Sequence, residues 1–276
     1  MSPDDWRVIP YEKRRGNENM AIDDYFARKA FSRPVLRVYG WSVPTISLGY
    51  HQDPEVLDFR KVKAAGIDVV RRPTGGRAIL HAEELTYAVI LPGDSPLSEG
   101  STQAIHNRLS EALAAGLQHA GADVQMNTIR SDLRDHYKSN PESAACFSSM
   151  TRYELQLAGR KVVGSAQRKY PHAILQHGSV LVGPAHRRIV EYLAGNDKLQ
   201  RRMKRTLEEK TTDLSAHVDT PMDIRELAQA VSEGFRIRFG IESHRQPLLP
   251  EELEEIRRES SNFFVTTDVS SADSVH

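Results

Sequence analysis

Residues 71–81 read RRPTGGRAILH, and the predicted architecture is arranged around this segment. Its two consecutive glycines, Gly75 and Gly76, lie between two segments typical of β-strands. Glycine has no Cβ, so a ligand can approach this backbone closely and meet its amide groups. Arg72 and Arg77 flank the glycines and offer charge or hydrogen bonds to a polar head group. The segment equally suits a hairpin turn with solvated arginines, but the absence of a following Gly-Lys-Ser/Thr excludes a Walker-type loop.

Short β-strand candidates surround this segment. They are bounded by glycine, proline or charged residues, as strands in a sheet commonly are. The first five lie at residues 35–39, 45–48, 67–71, 77–81 and 85–91. Residues 153–157 and 161–166 flank Ala158 and Gly159 and predict a hairpin, and residues 173–182 predict a further strand.

Helices alternate with these strands. The spacing of Ile22, Tyr25 and Phe26 predicts an amphipathic helix that begins near Asn19 and ends before Pro34. A second helix is predicted at residues 102–120, behind a cap at Ser101 or Thr102, and a heavily charged one at residues 187–207. Thr220, Pro221 and Asp223 form a start signal for a further helix that ends at Gly240. A last short helix is predicted at residues 250–258.

This order of elements predicts a simple domain organisation. Residues 1–245 form one main domain, and residues 246–276 form a short helix followed by a flexible tail rich in Ser, Asp and Thr. Within the main domain, residues 127–150 have no strand or helix pattern. Such a segment is longer than the usual connection of a compact domain, and long ordered loops are often functional.

The composition limits the classes of function. The 276 residues include 37 lysines and arginines against 37 aspartates and glutamates, so no overall positive charge favours a nucleic acid partner. Residues 1–11 lack the apolar core of a signal peptide, and no apolar stretch approaches the roughly 18 to 20 residues that span a bilayer. A single cysteine cannot form an internal disulfide, which is typical of a reducing compartment. We predict a cytoplasmic protein with neither a nucleic acid nor a membrane partner.

Two residues stand out as candidates for chemistry. Cys146 lies near the end of the irregular stretch, where a thiol could face a cleft, although an unpaired cysteine is more often a small buried hydrophobe. Lys161 lies on the second strand of the predicted hairpin, where a lysine is more often a solvated edge charge. The small residues Gly164, Ser165 and Ala166 leave room for a substrate beside it. An ammonium next to a thiol would favour the thiolate and stabilise an oxyanion.

Three histidines are further candidates. His81, His172 and His177 could each supply a base or a metal ligand. None has a second His or Cys at the spacing of a paired metal site. We therefore predict no metal site.

Taken in order, these segments resemble the lipoate and biotin protein ligase superfamily, and most closely its LipM-type octanoyltransferases. The matching segments extend over most of the chain, and their co-occurrence in the family's order is far more specific than any one motif. They are residues 19–23 (NMAID), 41–50 (WSVPTISLGY), 71–81, 84–87 (ELTY), 145–147 (ACF), 159–167 (GRKVVGSAQ) and 176–179 (QHGS).

The resemblance implies a fold and a set of site residues. The fold would be α/β (α+β), with mixed, largely antiparallel sheets packed with helices, and residues 1–245 would be the catalytic domain. An acyl chain would lie in a tunnel beside the glycine segment. Cys146 would carry the acyl group as a thioester, and Lys161 would favour the thiolate form of that cysteine. The substrate site would be lined by Arg72, Gly75, Gly76, Arg77, His81, Ser165, His177 and Gly178.

The activity implied by the resemblance is transfer of an octanoyl group from acyl carrier protein to a lysine of a lipoyl-domain protein, such as the glycine cleavage H protein. No cofactor is expected, because the thioester donor is already activated. An ATP-dependent lipoate or octanoate protein ligase, which would use ATP and magnesium, is the alternative within the superfamily. A non-catalytic protein that binds lipoyl domains or acyl chains is a second alternative, and an amidotransferase that moves octanoyl between proteins is a third.

One departure from the pattern bears on this choice. Relatives that act as ligases have a third glycine where this chain has Arg77. An arginine at that position would either hinder ATP or bind its phosphate, and the sequence leaves both open.

Overall fold

The computed structural model describes residues 5–29, 31–128, 153–218 and 222–266. The strands within these residues are, in chain order, β1 (Asp5–Ile9), β2 (Lys13–Arg14), β3 (Val35–Trp41), β4 (Thr45–Leu48), β5 (Asp68–Arg71), β6 (Ile79–His81), β7 (Glu84–Pro92), β8 (Val124–Thr128), β9 (Tyr153–Leu157), β10 (Arg160–Lys161), β11 (Val163–Lys169), β12 (Ala173–Leu181) and β13 (Glu242–Arg245). The helices are α1 (Gly16–Arg28), α2 (Phe59–Ala64), α3 (Thr102–His119), α4 (Asp197–Lys210), α5 (Ile224–Phe239) and α6 (Pro250–Ser260).

The strands form one large sheet and two small ones. The large sheet has the order β11-β12-β7-β3-β1-β13, with β2 beside β3. Its ladders from β11 to β3 are antiparallel, whereas β3, β1 and β13 run parallel to one another. The small sheets have the orders β10-β9-β8 and β5-β4-β6. The predicted class, a mixed and largely antiparallel α/β fold, is confirmed.

Helices cover both faces of the large sheet. Val8 and Val38 belong to the hydrophobic cluster that contains the buried residues of α3 and α5. Ile9 and Tyr39, their neighbours in sequence, belong instead to the cluster formed with α1 and α6. Successive side chains of a strand point to opposite faces, so α3 and α5 lie on one side of the sheet and α1 and α6 on the other. None of the helices described is long and apolar enough to cross a bilayer.

Helix α6 confirms the short helix predicted at residues 250–258. Glu252 of this helix accepts two hydrogen bonds, of 2.6 and 2.7 Å, from the guanidinium of Arg7 on β1, and both side chains are buried. Ile256 completes the contact with the cluster around α1. The helix is thereby attached to the large sheet. Most of the predicted tail, residues 267–276, lies outside the described residues.

Four of the strands described escape the sequence pattern, namely β1, β2, β8 and β13. Residues 1–11 carry no strand prediction, yet Asp5–Ile9 forms β1 in the interior of the large sheet with Trp6 fully buried. Val124–Thr128 forms β8, so the stretch predicted as irregular from residue 127 begins within a strand. The remainder of that stretch, residues 129–150, lies outside the described residues.

The charged helix predicted at residues 187–207 is two elements. A 3₁₀ helix covers Pro184–Tyr192, and α4 begins only at Asp197. The side chain of Asn196 accepts a hydrogen bond of 3.0 Å from the amide of Leu199. This cap satisfies a free amide of the first turn and fixes the start of the helix there.

Candidate active site

The glycine segment joins β5 to β6, which lie on opposite sides of β4. These two strands do not pair with each other, so the interpretation of Gly75 and Gly76 as a simple hairpin turn is wrong. Gly76 has a φ of +99°, a conformation that favours glycine. The segment also lies against Gly49, where an added Cβ would be 1.9 Å from the carbonyl oxygen of Gly76. Two backbones therefore meet here at a distance that only glycine permits.

Arg72 holds the glycine segment in this shape. Its buried guanidinium donates to the carbonyl oxygen and hydroxyl of Ser47 at 3.0 and 3.1 Å. It also donates twice to the carbonyl oxygen of Gly75, at 3.2 and 2.8 Å, and once to that of Arg77 at 2.8 Å. These bonds engage all five N–H groups of the guanidinium. Arg72 thus brings a positive charge to the site, and a hydrogen bond from it to a substrate would require one of these bonds to break.

A small cavity lies where the large sheet meets the β5-β4-β6 sheet. Five of the predicted site residues line it, namely Arg72, His81, Ser165, His177 and Gly178. The rest of its wall consists of Met20, Tyr39, Trp41, Ser47, Ile79, Thr86, Gly164, Ala166 and Ser179.

His177 belongs to a buried array of side chains that reaches from β12 to α1. Its Nδ1 lies 3.0 Å from Asp23 Oδ2, and its Nε2 lies 2.6 Å from the hydroxyl of Thr74. Burial lowers the pKa of His177, although Asp23 opposes this shift. The neutral ring donates Nδ1–H to Asp23 and accepts the Thr74 hydroxyl at Nε2. Helix α1 is thereby linked to the glycine segment through an imidazole at the cavity wall.

The Asp23 carboxylate at the base of this array is compensated within the protein. Arg37 Nη1 lies 2.7 Å from Asp23 Oδ1, and the Tyr39 hydroxyl donates to Oδ2 at 2.8 Å. Burial by itself would raise the pKa of Asp23, but Arg37 and the hydrogen bonds from His177 and Tyr39 outweigh it, and the pKa is lowered. A buried carboxylate therefore stays ionised and holds the imidazole in one orientation.

His81 belongs to a second array with the same order of groups. Its Nδ1 lies 2.9 Å from Glu84 Oε1, and its Nε2 lies 2.7 Å from the hydroxyl of Ser47. Its ring stacks on Trp41 with the two ring centroids 3.9 Å apart. The same oxygen of Glu84 accepts hydrogen bonds from Trp41, Thr86 and Ser179. Two histidines thus face one cavity, each held by a buried carboxylate and a hydroxyl.

Ser165 and Gly178 lie opposite each other on β11 and β12. The Ser165 hydroxyl is 2.8 Å from the hydroxyl of Tyr87, which also accepts a hydrogen bond of 3.0 Å from Gln176. A Cβ at Gly178 would lie 2.4 Å from the carbonyl oxygen of Gly164. The cavity wall at Gly178 is therefore bare backbone.

Lys161 is separated from the cavity-lining strand by a change of sheet. It lies on β10, which pairs with β9, whereas β11 begins at Val163 and pairs with β12. The single strand predicted over residues 161–166 is wrong, because Val162 bonds to β9 through its amide and to β12 through its carbonyl. Lys161 is buried but is not among the residues that line the cavity.

The other predicted site residues are placed as follows. Gly75, Gly76 and Arg77 belong to the glycine segment beside the cavity but are not among its lining residues. Cys146 lies outside the described residues, so its role and its proximity to Lys161 stay predictions. His172 is exposed and lines a separate surface cleft. Within the described ranges, no group of three or more His, Cys, Asp or Glu side chains could hold a metal ion.

The sequence prediction missed the two carboxylates that orient the histidines. One signal for Asp23 was present, because Asn19 and Asp23 fall at three- and four-residue spacing with Ile22 and Phe26. A polar pair inside the apolar stripe of a helix indicates a buried polar network. Glu84, at the first position of a strand, carried no comparable signal.

Replacing Gly49 by alanine should destabilise the protein by about 1 to 3 kcal/mol, the usual range for overpacking. The new methyl group would overlap the backbone of Gly76, which cannot rotate away as a side chain could. Gly75→Ala is the matched control, since its Cβ would meet no atom within 4 Å. Urea unfolding of both variants measures the difference, and equal stability of the two would contradict the close contact.

The stability should fall in mild acid. Burial, with Arg187, lowers the pKa of His186 to about 4, and burial lowers that of His177. When folding lowers the pKa of a histidine, its contribution to the free energy of unfolding is fully present above the pKa of the unfolded state, about 6.5. That contribution is lost as the pH falls toward the lower pKa of the folded state, because the unfolded chain takes up the proton more readily. For His186 alone, the free energy of unfolding should be about 2 kcal/mol lower at pH 5 than at pH 7.5. Urea unfolding of the wild type and of His186→Gln tests this, and an unchanged pH dependence in the variant would refute it.

Comparison with known proteins places this site in a family. Residues 15–236 match the lipoyl protein ligase A/B catalytic domain. A bipartite lipoate protein ligase from Thermoplasma acidophilum has the same fold, with a TM-score of 0.74 and 19% identity over 94% of this chain and 92% of that one. A lipoate-protein ligase A bound with ATP gives a TM-score of 0.72 at 19% identity over 93% and 94% of the two chains. The chain belongs to the lipoyl protein ligase A/B catalytic domain family.

Sequence relatives narrow this assignment. Octanoyltransferase LipM of Kyrpidia tusciae is 36% identical over 255 residues, which cover 90% of this chain and 92% of that protein. Octanoyltransferase LipM of Bacillus subtilis is 32% identical over 259 residues, or 92% of this chain and 93% of that protein. Within the family, the chain belongs with the LipM-type octanoyltransferases, which are acyltransferases.

Proposed function

We propose that this enzyme transfers an octanoyl group from acyl carrier protein to a lysine of a lipoyl-domain protein, such as the glycine cleavage H protein, through a thioester on Cys146. The observation that carries the proposal is the similarity to LipM octanoyltransferases over nearly the full length of both chains. A small cavity beside the glycine segment supports it, because an acyl chain needs a confined site near the reacting atoms.

In the first half-reaction, the Cys146 thiolate attacks the carbonyl carbon of the carrier's thioester. A carbon–sulfur bond to Cys146 forms, the bond to the carrier's sulfur breaks, and the released thiolate takes up the proton that Cys146 lost. Lys161 favours the thiolate and stabilises the oxyanion of the tetrahedral intermediate. The product is an octanoyl-enzyme and a free carrier thiol.

In the second half-reaction, the ε-amine of the acceptor lysine attacks the same carbonyl carbon. A carbon–nitrogen bond forms, the bond to the Cys146 sulfur breaks, and the proton lost by the amine returns to that sulfur. The acceptor leaves with an amide-linked octanoyl group. The first step exchanges one thioester for another and conserves the free energy of the acyl bond, which then drives amide formation in the second step. The reaction therefore consumes no ATP.

The test supplies two donors to the same enzyme and acceptor. With octanoyl carrier protein and no ATP, mass spectrometry of the lipoyl domain should show an octanoylated lysine. With octanoic acid, ATP and magnesium, no product should form. Product in the second reaction alone would identify an ATP-dependent ligase, and product in neither would support a non-catalytic protein. Octanoyl-lipoyl domain as donor separates an amidotransferase from the carrier-dependent enzyme.

A further inference from the structure

Helix α4 concentrates positive charge on a chain whose net charge is zero. Between Asp197 and Glu208 it carries five cations and no carboxylate. All five are exposed, and they are Lys198, Arg201, Arg202, Lys204 and Arg205. Arg205 forms an ion pair with Glu209, whereas Lys198, Arg201 and Lys204 have no ion-pair partner among the residues that the structure describes. Such a patch attracts anions and raises their rate of association.

The apolar side of α4 is already used within the protein. Met203 and Leu207 are buried in the main hydrophobic cluster, and Leu199 packs against it. A helix that inserts into a membrane needs its apolar face free for the acyl chains of the lipid. The cationic side is the face left for a partner, which favours an acidic protein over a lipid surface.

The helix lies next to the strand that carries Lys161. Directly after α4, Thr211 forms a β-bridge with Lys161, and the amide of Thr212 donates to the carbonyl oxygen of Lys161 at 2.9 Å. A protein that docks on α4 is therefore held beside the residue predicted to act on the thioester.

We infer that the exposed face of α4 is the docking surface for the acidic carrier protein that delivers the acyl group, an inference that rests on the proposed function. The donor suits this surface, because its acyl group is attached through a phosphopantetheine arm whose phosphodiester is an anion. The acceptor suits it less, because its reacting group is an ammonium, which a cationic face repels.

The test is charge reversal on the helix. The triple variant Lys198→Glu, Arg201→Glu, Lys204→Glu should lower kcat/KM for octanoyl-enzyme formation from octanoyl carrier protein by roughly tenfold or more at low salt. Its rate with octanoyl-pantetheine, a small uncharged donor, should match that of the wild type. The control variant Arg225→Glu, Arg245→Glu, Arg257→Glu makes the same change in charge at exposed arginines of α5, β13 and α6 and should retain the rate with both donors.

Two measurements keep the inference separate from the proposed function. Binding of holo-carrier protein, followed by fluorescence anisotropy, should weaken in the α4 variant even if no acyl-enzyme forms on the wild type. In the wild type, rising salt should lower the rate with carrier protein and leave the rate with octanoyl-pantetheine unchanged. An α4 variant that binds the carrier as well as the wild type would overturn the inference. The inference would also be overturned if the α4 variant formed the octanoyl-enzyme normally and lost only the transfer of octanoyl to the acceptor. It would likewise be overturned if the only property lost were binding to DNA or to anionic vesicles.

Discussion

Replacement of Cys146 by serine is expected to abolish octanoyl transfer, with a loss in kcat on the order of 10³-fold or more. A serine hydroxyl is far less ionised than a thiol at neutral pH. The proposed mechanism contains no general base that would deprotonate the hydroxyl, so the serine would be a poor nucleophile. Transfer from octanoyl carrier protein to a lipoyl domain, measured without ATP, gives the rate.

Two controls make this result specific. The thermal unfolding midpoint of Cys146→Ser should equal that of the wild type, which excludes a folding defect. Binding of octanoyl carrier protein should also be retained, because the substitution changes only the reacting atom and leaves the described cavity intact. A variant that transfers octanoyl at more than a tenth of the wild-type rate would rule out the thioester. Retained ATP-dependent ligation would identify a ligase.

Replacement of Arg37 by methionine is expected to lower the free energy of unfolding by about 3 to 5 kcal/mol. The Arg37 guanidinium is 2.7 Å from the carboxylate of Asp23, and the side chains are 3% and 0% exposed. Removing one partner of a buried pair leaves an uncompensated charge in the interior. The carboxylate would also lose its hold on His177, so kcat/KM should fall together with stability.

Arg28→Met is the matched control on helix α1. Arg28 pairs with Asp24 and Glu259, but its side chain is 46% exposed. An ion pair at the surface contributes about 0 to 1 kcal/mol. Urea unfolding of both variants should therefore show a much larger loss for Arg37→Met, and similar losses would mean that burial of Asp23 has been overstated.

Local signals explain why much of the fold could be predicted. Ser101 caps α3 by accepting a hydrogen bond from the amide of Ala104, and Gly240 ends α5 in the left-handed conformation. Both follow from residues within a few positions of the helix end, where cap chemistry is decided. Strands bounded by glycine and proline could be predicted as well, because the residues that end a strand lie next to it in the sequence.

The missed elements depend on partners that are distant in sequence. β1 is sandwiched in parallel between β3 and β13, and Asp5 lies opposite Glu242. No residue near Asp5 signals that pairing. Likewise, the sequence shows a run from Lys161 to Ala166 but not that Val162 passes from one sheet to another. Register and sheet membership follow from tertiary packing, which a local pattern does not contain.

The site likewise has residues that the sequence could predict and contacts that it could not. Family motifs named Arg72, His81, His177, Ser165 and Gly178, which the fold brings to one cavity. The motifs did not show that the N–H groups of Arg72 are engaged by backbone carbonyls and by the Ser47 hydroxyl, or that each histidine is held by a carboxylate. These are properties of buried hydrogen bonds between segments far apart in the chain, and they require coordinates.

The most direct measurement is the intact mass of the wild-type enzyme after mixing with octanoyl carrier protein in the absence of ATP and acceptor. The expected spectrum shows one added octanoyl group, which hydroxylamine removes and which peptide mapping assigns to Cys146. An unmodified enzyme under conditions that support transfer, or an octanoyl group on any other residue, would contradict a thioester on Cys146.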